Sequence, residues 1–240
     1  MYERNSSGQP LGPVVEGWKP PPFPSCETMK GRFCVLEAID PARHADDLYR
    51  ANFLDREGRN WTYLPYGPFE SMDAYRAWMT ETCLGKDPMF FAIVDSSTGR
   101  AVGVCSYLRI DPRSGSIEVG HLNYSPLLQR KPAATEAMAL MMERAFDTGY
   151  RRYEWKCNAL NAASRASALR LGFSFEGLFR QATVVKGRNR DTAWYSVIDA
   201  EWPALRNAFG MWLDPSNFDG NGGQKTRLSD LTRPLLASPG

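Results

Sequence analysis

A chain of 240 residues, 43% of them hydrophobic, can bury one sizeable core, and nothing in it calls for a second domain. Its 29 Lys and Arg against 27 Asp and Glu leave a net charge of +2 with the signs interleaved, which argues against nucleic acid as a partner. Five cysteines, widely spaced and without a C-x-x-C pair, and only two histidines, His44 and His121, argue against a disulfide framework or a metal site and for a reducing, cytoplasmic setting.

The first thirty residues are rich in Gly, Pro and Ser and contain no apolar signal-peptide core. No stretch approaches ~18 continuous apolar residues, so neither secretion nor a membrane partner is expected. Residues 1–31 carry Gly12-Pro13 and the run Pro20-Pro21-Pro22, which bias the backbone to extended conformations. They read as an N-terminal arm pinned to the body by Trp18 and Phe23. Residues 215–240 are Asn/Gly-rich and then polar, a second, partly ordered tail, which leaves 32–214 as the domain.

Within that domain Arg32 to Ile39 alternates as a strand, and Pro41 to Leu54 has an N-terminal Pro and helical spacing. A loop with Trp61, Tyr63 and Tyr66 precedes a helix over Ser71 to Leu84, which Ser71 can cap. Three strands follow, Met89 to Val94, Ala101 to Ile110 and Ser116 to Asn123, separated by turn signals. Met138, Met141, Met142, Ala145 and Phe146 repeat at helical spacing, between Pro132 and Gly149. A strand over Arg152 to Cys157, a helix over Ala162 to Leu171, strands near Ser174 to Val185 and Thr192 to Ile198, and a helix over Asp199 to Leu213 complete the order. The order predicts an α/β fold of the mixed-sheet, α+β kind, with a ligand site at the central crossover.

The segment Glu118-Val119-Gly120-His121-Leu122-Asn123-Tyr124, followed by Gln129-Arg130-Lys131-Pro132-Ala133-Ala134-Thr135, resembles the acyl-CoA-binding strand, loop and helix of the GNAT superfamily. Its nearest branch is that of ribosomal-protein alanine acetyltransferases. The family loop is Gln/Arg-x-x-Gly-x-Gly/Ala. Gln129 and Ala134 fit it, whereas Pro132 stands where the first glycine belongs, a substitution a first helical position tolerates. A second signature, Asn158-x-x-Asn161-x-x-Ser164 and then Leu171-Gly172-Phe173, stands at the family's distance from the first. Two motifs in order are far more specific than a lone basic turn before a helix.

The resemblance spans roughly Gly31 to Trp202 and implies a central, twisted, mostly antiparallel sheet with splayed strands, flanked by helices. It implies acetyl-CoA, or another short-chain acyl-CoA, as co-substrate, with no metal. The cofactor-binding residues would be Leu122, Asn123, Tyr124, Gln129, Arg130, Lys131, Ala133, Ala134, Thr135, Asn158, Asn161, Ser164 and Arg165. Loop amides would meet the diphosphate at a helix N-terminus, Asn161 the pantetheine, and Ser164 the departing thiolate. A strand amide near Leu122 and Asn123 would meet the acyl oxygen.

A free amine with a pKa of ~10.4 must lose a proton before it attacks. Glu118, acting through water, is the first candidate base. His121, expected on the opposite face of the strand, is the second, and Asp191 the third, although a carboxylate among arginines is more often an ion pair. Ala168 stands where many family members have a tyrosine acid, and Thr183 where the ribosomal-protein subgroup has its glutamate, so neither scheme carries over. Trp61, Tyr63, Tyr66, Trp155, Arg180 and Arg190 would line the acceptor side. If the two arginines face the cleft, either the acceptor or the acyl group, succinyl included, would bear a carboxylate. The implied acceptor is a small-molecule or peptide amine, and a homodimer is left open. The competing reading is a non-catalytic acyl-CoA sensor or interaction module on the same scaffold.

Overall fold

A computed structural model describes residues 2–239. The chain runs β1 (Met29–Lys30), β2 (Cys34–Ala38), α1 (Pro41–Asn52), α2 (Met72–Thr82), β3 (Met89–Asp95), β4 (Ala101–Asp111), β5 (Ser116–Tyr124), α3 (Pro132–Asp147), β6 (Arg152–Asn158), α4 (Ala162–Arg170), β7 (Ser174–Val185), β8 (Arg188–Ile198), α5 (Trp202–Leu213) and α6 (Leu228–Thr232). The strands form one eight-stranded sheet in the order β1-β2-β3-β4-β5-β6-β8-β7, antiparallel throughout except for the β5–β6 pair.

Local chemistry sets the helix starts. Asp40 caps α1 by accepting from Ala42 N, with Pro41 at the first position, and Ser71 caps α2 by accepting from Ala74 N. The central strands β3 and β4 are buried on both sides, whereas β6 buries one face and β7 is mostly exposed. Ile117 and Val119 pack against Met138, Met141 and Met142 of α3, while Phe90 and Val104 pack against Leu48, Tyr75 and Met79 of α1 and α2. Each such side chain contributes about 1.5–3 kcal/mol.

One buried carboxylate ties the crossover helix to the first strands. Glu136, in the first turns of α3, accepts from the main-chain amides of Arg32 (2.7 Å), Phe33 (2.6 Å) and Cys34 (2.8 Å). A Cβ on Gly31 would lie 2.3 Å from the Glu136 carboxyl carbon, so glycine there is a requirement of close approach.

Several element ends shift by two to four residues from the sequence reading, most at β8, and β1 is an added strand. Strand β8 begins at Arg188, four residues before Thr192, because Arg188-Asn189-Arg190 form the solvent-facing end of a two-stranded hairpin and carry no apolar alternation. The two-residue β1 is too short for any periodicity. The arm lies along the body through Trp18, which covers Gly115 and stacks under Arg151 at 5.8 Å, and through buried Pro21 and Pro24. Phe23 stays exposed. The C-terminal segment packs back, burying Leu228 and Thr232, with the Thr232 hydroxyl donating to Arg170 O at 2.9 Å. Among the described residues no helix is long and apolar enough to cross a membrane, and no His/Cys/Asp/Glu group could hold a metal ion.

Candidate active site

The parallel strands β5 and β6 pair only from Ser116 opposite Arg152 to Val119 opposite Trp155. Beyond that point β5 runs on to Tyr124 and β6 to Asn158 without pairing to each other. On its other side β5 stays bonded to β4, but with a bulge: Gly120 faces Ser106 and Asn123 faces Val104, so His121 and Leu122 share the single residue Cys105. His121 takes φ +51° there.

Ladder parity then decides which main-chain groups face the gap. Ser125 N donates to Val102 O at 3.2 Å, so Asn123, two residues back, also turns its polar groups toward β4, whereas Leu122 and Tyr124 turn theirs into the opening. The Tyr124 carbonyl is already met there by Asn60 Nδ2 (3.1 Å) and Gln129 Nε2 (2.8 Å). The expected pair of strand amides thus reduces to Leu122.

The loop after β5 closes in tight turns, Gln129 N to Ser125 O and Lys131 N to Leu128 O, with Arg130 in the left-handed region at φ +60°. The amides of Lys131 and Ala134 are spent inside the loop. Those of Arg130 and Ala133 have no acceptor within the chain among the described residues. They sit at the N-terminus of α3, where no side chain caps the helix, an arrangement that favours an anion.

The gap and this loop open into a cleft of ≈ 850 Å³. Of the expected residues, Leu122, Tyr124, Gln129, Arg130, Lys131, Ala134, Thr135, Asn161, Ser164, Tyr63 and Trp155 line it. So do Arg59, Asn60, Arg170, Trp212 and Gln224, which the sequence reading missed. The cleft carries the cations Arg59, Arg130, Lys131 and Arg170 and no carboxylate. Asn161 caps α4, accepting from Ser164 N at 3.1 Å, and still borders the cleft. Ser164 Oγ accepts from Trp155 Nε1 at 3.1 Å, which leaves its own proton free to donate.

Other expected residues lie elsewhere. Ala133 is buried beneath the loop. Asn158 accepts from Leu160 N at 2.9 Å in a local turn, and Arg165, exposed, donates to Tyr195 Oη at 3.1 Å. Arg180 is exposed on the edge strand β7. Asp191 accepts from Gln181 N (2.7 Å) and Asn189 Nδ2 (3.0 Å) with no arginine in ion-pair contact, and those bonds hold its carboxyl below the usual range. Trp61 is buried among Tyr66 and Phe69.

The opposite face of the sheet, under α1 and α2, holds the remaining candidates. Paired residues share a face, as do residues two apart, which places Glu118, Gly120, Lys156 and Trp194 together there. Alternation alone sends His121 to the other face. The bulge returns it to this one, where its ring lies 4.9 Å from Phe90 and parallel to Tyr66 at 5.7 Å. Burial, reinforced by Arg109 and Arg190, pushes the His121 pKa down to about 4. Glu118 is 3% exposed and held between Arg109 Nη1 at 2.7 Å and Lys156 Nζ at 2.9 Å. Burial raises its pKa while both cations oppose the rise. Lys156 also meets Glu154 at 2.6 Å, so Glu118 belongs to an alternating charge network.

The loop between α1 and α2 bridges both sides. Tyr63 Oη donates to Leu160 O at 3.2 Å, across the mouth of the gap, and Lys186, at the β7–β8 turn, donates to the carbonyls of Trp61 (2.9 Å) and Gly67 (2.8 Å).

A family model described as an acetyltransferase (GNAT) domain matches residues 34–174. Among solved structures the chain is similar to a GCN5-related N-acetyltransferase from Brucella melitensis, at 44% identity and a TM-score of 0.89, covering 91% of this chain and 99% of that one. It is also similar to a probable GNAT-family acetyltransferase from Chromobacterium violaceum, at 41% identity and a TM-score of 0.76, covering 82% and 98%. A curated relative from Bacillus licheniformis, named uncharacterized N-acetyltransferase p20, is 28% identical over 113 residues, 47% of this chain; the match spans 63% of that protein's length.

Proposed function

The chain belongs to the GNAT acetyltransferase family, and on that premise we propose that it transfers an acyl group, acetyl first, from an acyl-CoA to a primary amine by direct attack. The observation that carries the reading is the unpaired stretch of β5 and β6 beyond Val119 and Trp155, opening into a carboxylate-free cleft. The fit to the co-substrate rests on the orphan amide of Arg130, at an uncapped helix N-terminus among four cations. Bound there, an acyl-CoA supplies an activated thioester.

The rest falls to the chain. Arg130 and Lys131 hold the diphosphate end, and Asn161 orients the pantetheine arm. Leu122 N, turned into the gap by the ladder, donates to the acyl oxygen. Ser164 Oγ, fixed by Trp155, protonates the departing sulfur. No nucleophilic side chain is needed, since the amine attacks directly.

The amine approaches from the face of α1 and α2. His121 takes its proton: in the tautomer that donates Nδ1–H to Tyr66 Oη, Nε2 carries the lone pair. The burial that lowers the His121 pKa, with the charge of Arg109 adding to it, also disfavours an incoming ammonium, so the nucleophile is delivered neutral. Glu118 keeps Arg109 and Lys156 in place; its two ion pairs make it a positioning residue in preference to a base. The finer likeness to ribosomal-protein alanine acetyltransferases does not extend to their acid–base scheme, because Thr183 lies exposed on β7.

The test is thiol release from acetyl-CoA with a panel of primary amines. Amine-dependent release with the acetylated amine found by mass spectrometry supports the reading. Saturable acetyl-CoA binding with no acylated amine would instead make the chain an acyl-CoA sensor.

A further inference from the structure

We propose that Arg190 selects an amine acceptor that itself bears a carboxylate, holding that carboxylate while the amine faces His121; the inference rests on the acyl-transfer reading above. Register places Arg190. Thr192 pairs with Asn158, the last residue of β6, and Trp194 with Lys156, so alternation along β8 puts Arg190, Thr192 and Trp194 on the face that carries Glu118. Arg190 therefore stands at the open end of the gap, on the side from which the amine comes, close enough to His121 to depress its titration.

What distinguishes this arginine is a part-buried guanidinium without an ion-pair contact. The cations around Glu118 on this face are paired, Arg109 with Glu118, Lys156 with Glu118 and Glu154, and Arg152 with Glu154 and Glu176, while Arg188, further along β8, is solvent-exposed. Arg190 makes no ion pair and no hydrogen bond among the described residues, and its Nε is buried without an acceptor. Its neighbour Asp191 is occupied by Gln181 N and Asn189. A partly desolvated guanidinium without a partner is unfavourable, and a substrate carboxylate meets its planar fork with two parallel hydrogen bonds.

A second observation comes from the other side of the gap. Asn123 pairs with Val104, which lies on the α1–α2 face. Its side chain is 2% exposed, and neither its Oδ1 nor its Nδ2 has a partner. The gap is thus flanked on this face by a buried, unpartnered carboxamide on β5 and an unpartnered guanidinium on β8. The carboxylate of an α- or ω-amino acid would satisfy the guanidinium while its amine faces His121. A carboxylate on the acyl group is the competing source for the same anion, and the experiment separates the two.

Steady-state kcat/KM is measured for the wild type, Arg190→Gln and Arg190→Lys, with their folding checked by thermal melting. The acceptors are the common L-amino acids, β-alanine and γ-aminobutyrate, each paired with its carboxamide, and the donors are acetyl-CoA and succinyl-CoA. The expected result is a preference of about tenfold or more for the carboxylate member of the best pair, the worth of a charge-assisted contact. That ratio falls toward unity in Arg190→Gln through KM and is partly kept in Arg190→Lys. An equal or reversed preference in the wild type overturns the proposal, as does a ratio unchanged in Arg190→Gln. A variant that alters only the succinyl-to-acetyl ratio overturns it as well, placing the carboxylate on the donor. If acetyl-CoA binds and no amine of either kind is acylated, the acyl-transfer reading itself fails and takes this one with it; acylation of carboxylate-free amines alone sinks only the present inference.

Discussion

Tyr66 Oη lies 3.1 Å from Nδ1 of His121, and the two rings are nearly parallel, 9° apart. Neither residue was paired with the other by the sequence, where they stand far apart and where His121 was expected on the wrong face. The bulge at His121 makes the pair.

The first prediction concerns its titration. With a pKa near 4 in the folded chain against about 6.5 unfolded, His121 is neutral in both states above pH 7 and adds nothing to the pH dependence there. As pH falls from 6.5 the unfolded chain takes up the proton first, so stability declines toward pH 4 and then levels, by up to roughly 3 kcal/mol. The His121 ring resonances followed by NMR should stay flat from pH 8 to pH 5 and move only below it, while a midpoint above 6 would show that the ring is not desolvated as described.

A second prediction separates the tautomer from the packing. Tyr66→Phe keeps the stacked ring and removes the oxygen that fixes His121. It should lower kcat about tenfold with little change in the KM for acetyl-CoA, whereas His121→Gln should cost about a hundredfold or more in kcat. A Tyr66→Phe enzyme with wild-type kcat would remove the hydroxyl from the account.

The double variant Arg130→Ala, Lys131→Ala tests the loop. Both side chains are exposed, so the melting temperature should hold. The KM for acetyl-CoA should rise about tenfold, and its dependence on salt should flatten because screened charge attraction is what was removed. Undiminished salt dependence would place the anion elsewhere.

Stability of the frame is predicted at Glu136. Removing its carboxylate with Glu136→Ala leaves three amides, those of Arg32, Phe33 and Cys34, without their acceptor, at a cost of at least about 3 kcal/mol. Denaturant titration should show the loss, and Gly31→Ala should show a comparable one through the collision with the same side chain.

Most of the architecture was legible because its signals are local. Pro41, Ser71 and Pro132 mark helix starts through single-residue chemistry, and the methionine spacing of α3 states its buried face. The loop and Asn161 were legible through motif and spacing, and both border the cleft. What could not be read depends on register. One extra residue in β5 reverses the facing of His121, ladder parity takes Asn123 away from the gap, and the ion pairs of Glu118 join residues on three strands. The contribution of Trp212 and Gln224 to the cleft was hidden for another reason. Residues 215–240 read as a partly ordered tail, and only the folding back of its first part, with Gln224 accepting from Trp212 Nε1 at 2.7 Å, brings it to the site.

The most direct test of the account is amide hydrogen exchange of the full chain with and without saturating acetyl-CoA. Binding should slow exchange at Leu122 and Arg130, the amides left without acceptors by the open gap and the uncapped helix, and leave Asn123, already bonded to β4, unchanged. Absence of protection at both, or protection confined to residues outside the cleft, would contradict the claim that the separation of β5 from β6 is an acyl-CoA site.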